Sequence, residues 1–390
     1  MPILTWISAI ILSLIIIAIV VTRILSSLSD RLLNKTTTPP PYQVGKEAQS
    51  LHQQLFIADL HADPLLWNRD LLKRHNHGHV DLPRLVDGNV ALQVFAAATK
   101  APWGLNFERN TANSDMVTAL VIAQGCPPRT WTSLLQRALY QAELLNRCIA
   151  QSQGRLMLIK NARELDTLVT QRQAEPDRAP IGAMLALEGV HALQGDLDNL
   201  DLLYDAGFRI IGLTHFFDNE AGGSAHGVDQ GGLTPFGREL IRRVQDKNLV
   251  LDLAHASPQL IDDVLEMATA PVIASHTGLR ATCDNQRNLS NEHVRRIAAT
   301  GGVIGIAMFE QTVCGTTIQH TARAIRHGAD LVGPDHFAIG SDFVGSITAP
   351  IDASGLALLT EALVGQGFTK EEIAKIMGNN ALRVLRQVLS

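Results

Sequence analysis

Five apolar runs in this chain each end in a side chain able to hold a cation or move a proton. They lead into His61 and Asp63, Glu188, His215, His255 and His276. In His61-Ala62-Asp63 the two ligand-type residues stand two apart, so along a strand both project to one side and can reach the same ion. Imidazole with carboxylate suits zinc, manganese or iron; a strand-end histidine capped by its neighbour is the plainer alternative. Glu188 closes the aliphatic run from Ala183 to Leu187, where an unpaired carboxylate would be costly to desolvate. A metal on His61 and Asp63 would supply the counter-charge, as would a nearby arginine. His255 and His276 repeat the pattern, each with a small hydroxyl residue close behind, Ser257 and Thr277.

Five such ligands are too many for one tetrahedral zinc. Two ions bridged by Glu188 use them all, one held also by His61 and Asp63 and the other by His255 and His276. Paired ions of this kind stand about 3.5 to 4 Å apart, activate a water between them and polarise a carbonyl, which points to hydrolysis of an amide or ester. Three more residues suit supporting roles. His215 could donate to a tetrahedral oxyanion. Asp342, in Gly340-Ser341-Asp342-Phe343, could carry a proton from the water to the leaving amine. Arg287-Asn288 lies where a guanidinium could grip a substrate carboxylate, although a surface ion pair is the default for a loop arginine.

Side chains this far apart need a scaffold that gathers strand ends. Short β-branched and aliphatic runs at 56–61, 92–98, 183–188, 209–214, 249–254, 271–275, 301–308 and 336–341 read as strands. Helical spacing fills most gaps between them, as at 258–268 after Ser257-Pro258 and 290–299 after Ser290. Strands apolar on both faces that alternate with helices imply a parallel sheet covered by helices, and eight such units imply an α/β fold closed as a (β/α)8 TIM-type barrel. An open doubly wound sheet is the alternative. The span 51–390 is long enough for one barrel with insertions. A net charge of -5, with no basic block interleaved with aromatics, argues against nucleic acid as a partner.

The first 22 residues carry no charged side chain, and Ile3 to Val21 is almost wholly aliphatic. We expect 1–22 to be a transmembrane anchor, since a signal peptide would want a basic start and a small-residue cleavage site that this stretch lacks. Residues 23–50, polar and carrying Pro39-Pro40-Pro41, are expected to form an extended tether. Arg23, Arg31 and Lys35 follow the span, which alone would leave the barrel in the cytoplasm. Four cysteines, 126, 148, 283 and 314, form no C-x-x-C pair, so they are disulfides or buried thiols rather than a zinc knuckle.

From residue 50 to 388 the chain resembles the membrane dipeptidase, or renal dipeptidase, family of zinc metallopeptidases. The matching motifs fall in order: Asp59 to Pro64, His79 to Leu85, Leu187 to Gly189, Gly232 to Gly237, Asp252 to Ser257, Ser275 to Thr277, Arg287-Asn288 and Gly340 to Phe343. The resemblance implies a (β/α)8 barrel with two zinc ions per chain, bridged by Glu188 and otherwise held by His61, Asp63, His255 and His276. It also implies His215 and Arg287 as substrate contacts, the latter at the substrate's terminal carboxylate, with Asn288 beside it, and Asp342 as proton carrier. Substrates would be dipeptides, L-L and also L-D, and homodimers would be expected. The pattern departs at Val344, where the family often has a second acid, and at Phe217, where a second disulfide would need cysteine. Cys283 and Cys314 match one family bridge, which favours an oxidising compartment and hence an extracytoplasmic barrel. Another metal-dependent amidohydrolase, acting on acylated amino acids or lactones, is the alternative activity, and a catalytically silent tethered binding protein is a third reading.

Overall fold

The computed structural model describes the chain except Met1, Asp177 and the side chains at 2–5, 9, 12, 14–16, 18 and 19. Eight parallel strands form its centre: β1 (Ile57–Ala62), β2 (Val90–Ala98), β3 (Ile181–Glu188), β4 (Phe208–Gly212), β5 (Val250–Asp252), β6 (Ile273–Thr277), β7 (Val303–Ile306) and β8 (Phe337–Ile339). Neighbouring strands pair in sequence from β3 to β8, β8 pairs with β1, β1 with β2, and β2 with β3. The last pairing, Leu92 with Gly182 through Ala98 with Glu188, closes the cylinder and excludes the open sheet. A ninth short strand, Leu156–Leu158, takes the edge of β3 at 181–183 before β4 begins there. The sequence did not single it out, because three residues are too few to display a period.

Each strand is buried from end to end, which explains the unbroken apolar runs. Within β1, Ala58 and Leu60 share an apolar cluster with Leu382, Val384 and Leu385 of the C-terminal helix. Asp59 and His61 project the other way, as a two-residue period requires. Helices start where the chain offers caps. Ser257 Oγ accepts from Leu260 N at 3.0 Å and Pro258 opens Pro258–Met267; Ser290 Oγ accepts from His293 N at 3.1 Å ahead of Asn291–Ala299.

The N-terminal region departs from expectation. Helix α1 spans Pro2–Leu33, running well past the expected boundary at residue 22. The expected transmembrane segment falls largely on side chains outside the described residues, and among the described residues no helix is long and apolar enough to cross a membrane. Residues 23–50 are not a free extended spacer. Asp30 is buried in an ion pair with Arg69 at 3.2 Å and takes a hydrogen bond from Asn34, while Lys35–Thr36 pairs in parallel with Thr348–Ala349. The polarity that suggested a solvated linker belongs instead to hydrogen bonds with the barrel rim.

Candidate metal centre

Every residue singled out for chemistry lies at or just beyond the C-terminal end of a strand: His61 and Asp63 at β1, Glu188 at β3, His215 after β4, His255 after β5, His276 in β6, Arg287 in the following loop and Asp342 after β8. A parallel barrel places those ends on one rim. Glu188 Oε1 is their meeting point. It lies 3.1 Å from His255 Nε2, 3.4 Å from His276 Nε2, 3.5 Å from His215 Nε2 and 3.6 Å from His61 Nε2. His61 Nε2 is 3.4 Å from Asp63 Oδ2, and the Nε2 atoms of His255 and His276 are 3.0 Å apart.

Three overlapping trios have potential ligand atoms all within 4.8 Å of one another: His61 with Asp63 and Glu188, Glu188 with His215 and His255, and His61 with His276 and Asp342. All these residues are buried. Among the described residues His61 Nε2 and Asp63 Oδ1 have no hydrogen-bond partner, which is costly for buried polar atoms and suits a cation as the missing partner. The donor set of imidazole nitrogens and carboxylate oxygens matches borderline divalent ions.

The neighbouring shell aims these ligands. Ser275 Oγ lies 2.9 Å from His276 Nδ1 and 3.4 Å from His61 Nδ1, which turns both Nε2 atoms toward Glu188. Asp59 takes hydrogen bonds from Ser341 N, Ser341 Oγ and Gln93 Nε2, and Asp252 from Ala254 N and Ser275 N, so strands β1, β2, β5, β6 and β8 are cross-linked directly beneath the site. His255 and Asp342 both adopt left-handed backbone, with φ of 63° and 60°, as residues held in strained turns at functional sites often do.

For the protein side chains by themselves, burial governs protonation. It lifts the Glu188 carboxyl well above its ordinary range, with the Asp63 charge adding to the effect. It raises Asp63 to about 7 and Asp342 to about 8, and holds His215, His255 and His276 well below the usual imidazole value. Divalent ions would reverse the carboxyl shifts and take the neutral imidazoles as ligands.

Two expected substrate contacts look different once placed. His215 Nδ1 donates to Lys100 O at 3.1 Å, so in the neutral ring Nε2 holds a lone pair toward Glu188 and could donate to an oxyanion only after gaining a second proton. Asn288 gives both amide hydrogens to carbonyls, Cys283 O at 2.7 Å and Thr312 O at 3.0 Å, and so fastens the loop that carries Arg287. Arg287 itself is buried and donates from Nη2 to His276 O at 2.6 Å, while its Nε and Nη1 have no partner among the described residues. The same loop is tied to the segment after β7 by a disulfide between Cys283 and Cys314, while Cys126 and Cys148 are buried free thiols.

The pocket above the cluster is walled by Leu66, Ala101, Leu105, Phe107, Phe216 and Phe309, so the insertion after β2 forms much of its roof. His226, from the glycine-rich loop, reaches this wall: its Nδ1 donates to Phe107 O at 2.6 Å, and its ring lies tilted by 59° with its centroid 5.3 Å from that of His255. The sequence offered no periodicity from which to place His226. Asp59, not singled out from the sequence either, stands two residues before His61, a spacing that could have placed it on the same strand face.

A closed parallel barrel with buried histidines and carboxylates gathered at its C-terminal rim is the architecture of a metal-dependent hydrolase. Comparisons with known proteins agree with that class. Residues 45–390 match the model of the membrane dipeptidase family, peptidase family M19. An uncharacterised protein of Klebsiella pneumoniae is 31% identical over 64% of this chain and 94% of its own length, and human Dipeptidase 3 is 27% identical over 90% and 69%. The barrel superposes on a metallopeptidase of Rhodobacter sphaeroides, solved with a phosphinate mimic of L-Ala-D-Ala, with a TM-score of 0.68 at 23% identity over 86% of this chain and 99% of that one. The chain belongs to the membrane dipeptidase family and is a metal-dependent dipeptidase.

Proposed function

We propose that the rim cluster is a binuclear zinc centre that hydrolyses dipeptides, L-L and L-D. The observation that carries the reading is the convergence of four imidazole nitrogens on one carboxylate oxygen, within 3.6 Å of Glu188 Oε1. His61 and Asp63 would hold one ion, His255 and His276 the other, and Glu188 both. Bound there, the ions would lower the pKa of a shared water and polarise the scissile carbonyl. Asp342, beside Asp63, holds and returns the proton that must reach the leaving amine. Apolar walls exclude bulk water and leave room for little more than a small substrate. The inclusion of L-D dipeptides draws support from the ligand mimic in the Rhodobacter sphaeroides relative.

Arg287 is the proposed anchor for the substrate's terminal carboxylate, because two of its guanidinium nitrogens are buried with no partner beside the carboxylate cluster. Arg287→Ala should lower kcat/KM for dipeptides roughly 30-fold, since losing one side of a buried charge pair costs about 2 kcal/mol or more. The change should fall mainly on KM, and C-terminally amidated dipeptides should lose far less. Equal losses on both substrates would remove Arg287 from carboxylate recognition and favour an amidohydrolase of other acylated compounds.

We further infer that the apolar stretch 3–21 holds the enzyme at a membrane with the barrel on the extracytoplasmic side. The uncharged stretch and the Cys283–Cys314 disulfide support this placement. A C-terminal reporter that works only in the cytoplasm would contradict it.

A further inference from the structure

The loop after β8 carries Asp342 and closes one side of the pocket through Gly345 and Ser346. Its backbone is unusual: Asp342, Val344 and Ser346 have φ of 60°, 69° and 62°. Left-handed backbone is especially unfavourable for a β-branched residue such as Val344, so surrounding bonds must hold it. Two of those bonds come from the barrel. Trp67 Nε1 donates to Val344 O at 2.7 Å, and His79 Nδ1 accepts from Val344 N at 3.0 Å.

Strand β1 also holds the loop, Asp342 N donating to His61 O at 3.1 Å and Asp63 N to Phe343 O at 2.9 Å, and further bonds beyond Val344 come from the segment that follows α1. Asn34 Oδ1 accepts from Ser346 N at 2.9 Å, Lys35 N donates to Ile347 O at 3.2 Å, and Thr37 N donates to Ala349 O at 2.9 Å. His79 joins the two sets. Because its Nδ1 must accept from an amide, its proton sits on Nε2, which donates to Lys35 O at 2.8 Å. The segment is itself anchored where Asp30 meets Arg69 Nε at 3.2 Å, His77 Nε2 at 3.1 Å and Asn34 Nδ2 at 2.8 Å. Residues 30–38 lie outside the part of the chain that matches the family model, which begins at 45.

We propose that residues 30–38 are a positioning strap for the active site, in which Asn34 and His79 fix the loop that presents Asp342. Residues 23–29 of the same helix, Pro2–Leu33, join the strap to the stretch read as the membrane anchor, so the attachment segment and the catalytic rim are one mechanical unit. The inference rests on the reading of Asp342 as proton carrier.

The test uses the full-length enzyme with its metal in detergent micelles. Asn34→Ala should lower kcat for a dipeptide roughly tenfold, since small displacements of a catalytic group have large effects on rate. KM should change less than about twofold, the bound zinc should be unchanged, and amide hydrogen exchange across 343–350 should be faster. Wild-type kcat and exchange in Asn34→Ala would overturn the proposal, as would a loss of kcat that follows loss of zinc with exchange unchanged. If Asp342→Asn were harmless, the proton-carrier reading would fall, whereas the exchange measurement would still report on the strap.

Discussion

Glu188→Gln should all but abolish dipeptide hydrolysis and should strip metal from the protein. Glu188 Oε1 is the atom on which His61, His215, His255 and His276 converge, and in the proposed centre its carboxylate would offer the negative charge that two cations share. An amide of the same shape keeps the packing and removes that charge. Electrostatic stabilisation by bound ions is worth several kcal/mol at the transition state. At about 1.4 kcal/mol per decade, the expected loss in kcat is roughly a thousandfold or more. Metal analysis of the purified variant should show fewer ions per chain than the parent. The barrel should remain folded, because burial alone already pushes the bare carboxyl toward its neutral form. A Glu188→Gln enzyme with full metal content and near-normal turnover would remove Glu188 from the bridging position.

Asp342→Asn should be the second most damaging change, and of a different kind. The side chain is buried and contacts Asp63, which places it beside the proposed ligands where a proton must pass between the water and the leaving amine. General acid–base catalysis contributes typically about 10² to 10⁴ in rate. Asparagine tolerates the left-handed backbone at this position nearly as well as aspartate, which makes misfolding a poor explanation for lost activity. The expected result is therefore a kcat lower by about 10² to 10⁴, with KM and zinc content close to those of the parent. Residues 343–350 hold no Asp or Glu, so no second carboxylate on this loop is available to substitute. A loss smaller than about tenfold would place the proton elsewhere.

The barrel was legible because its strands are buried on both faces and stand apart as eight apolar runs. The site was legible because barrel topology turns strand ends into neighbours, so residues as distant as His61 and His276 could be grouped before any contact was known. Physical reasons also explain what was missed. Ser275 Oγ meets the Nδ1 atoms of His276 and His61, and Ser341 bonds Asp59 beneath the cluster, yet a serine has no periodicity that sets it apart. His226 and Phe107 reach the pocket from long irregular segments, whose paths depend on tertiary contacts. The segment 23–50 was read as a solvated tether from its polarity, yet Asp30, Asn34 and Lys35 use that polarity on Arg69, Ser346 and His79. Composition cannot distinguish polar groups that face water from polar groups that face a barrel rim.

The central claim is that two divalent ions share this cluster and that both are needed for turnover. Its most direct test is a zinc titration of chelator-stripped enzyme, following bound metal and dipeptide hydrolysis in the same samples. Activity should be absent from the metal-free protein and should reach its plateau when two ions are bound per chain. Full activity with no metal, or a plateau at one ion with no second ion taken up, would contradict it.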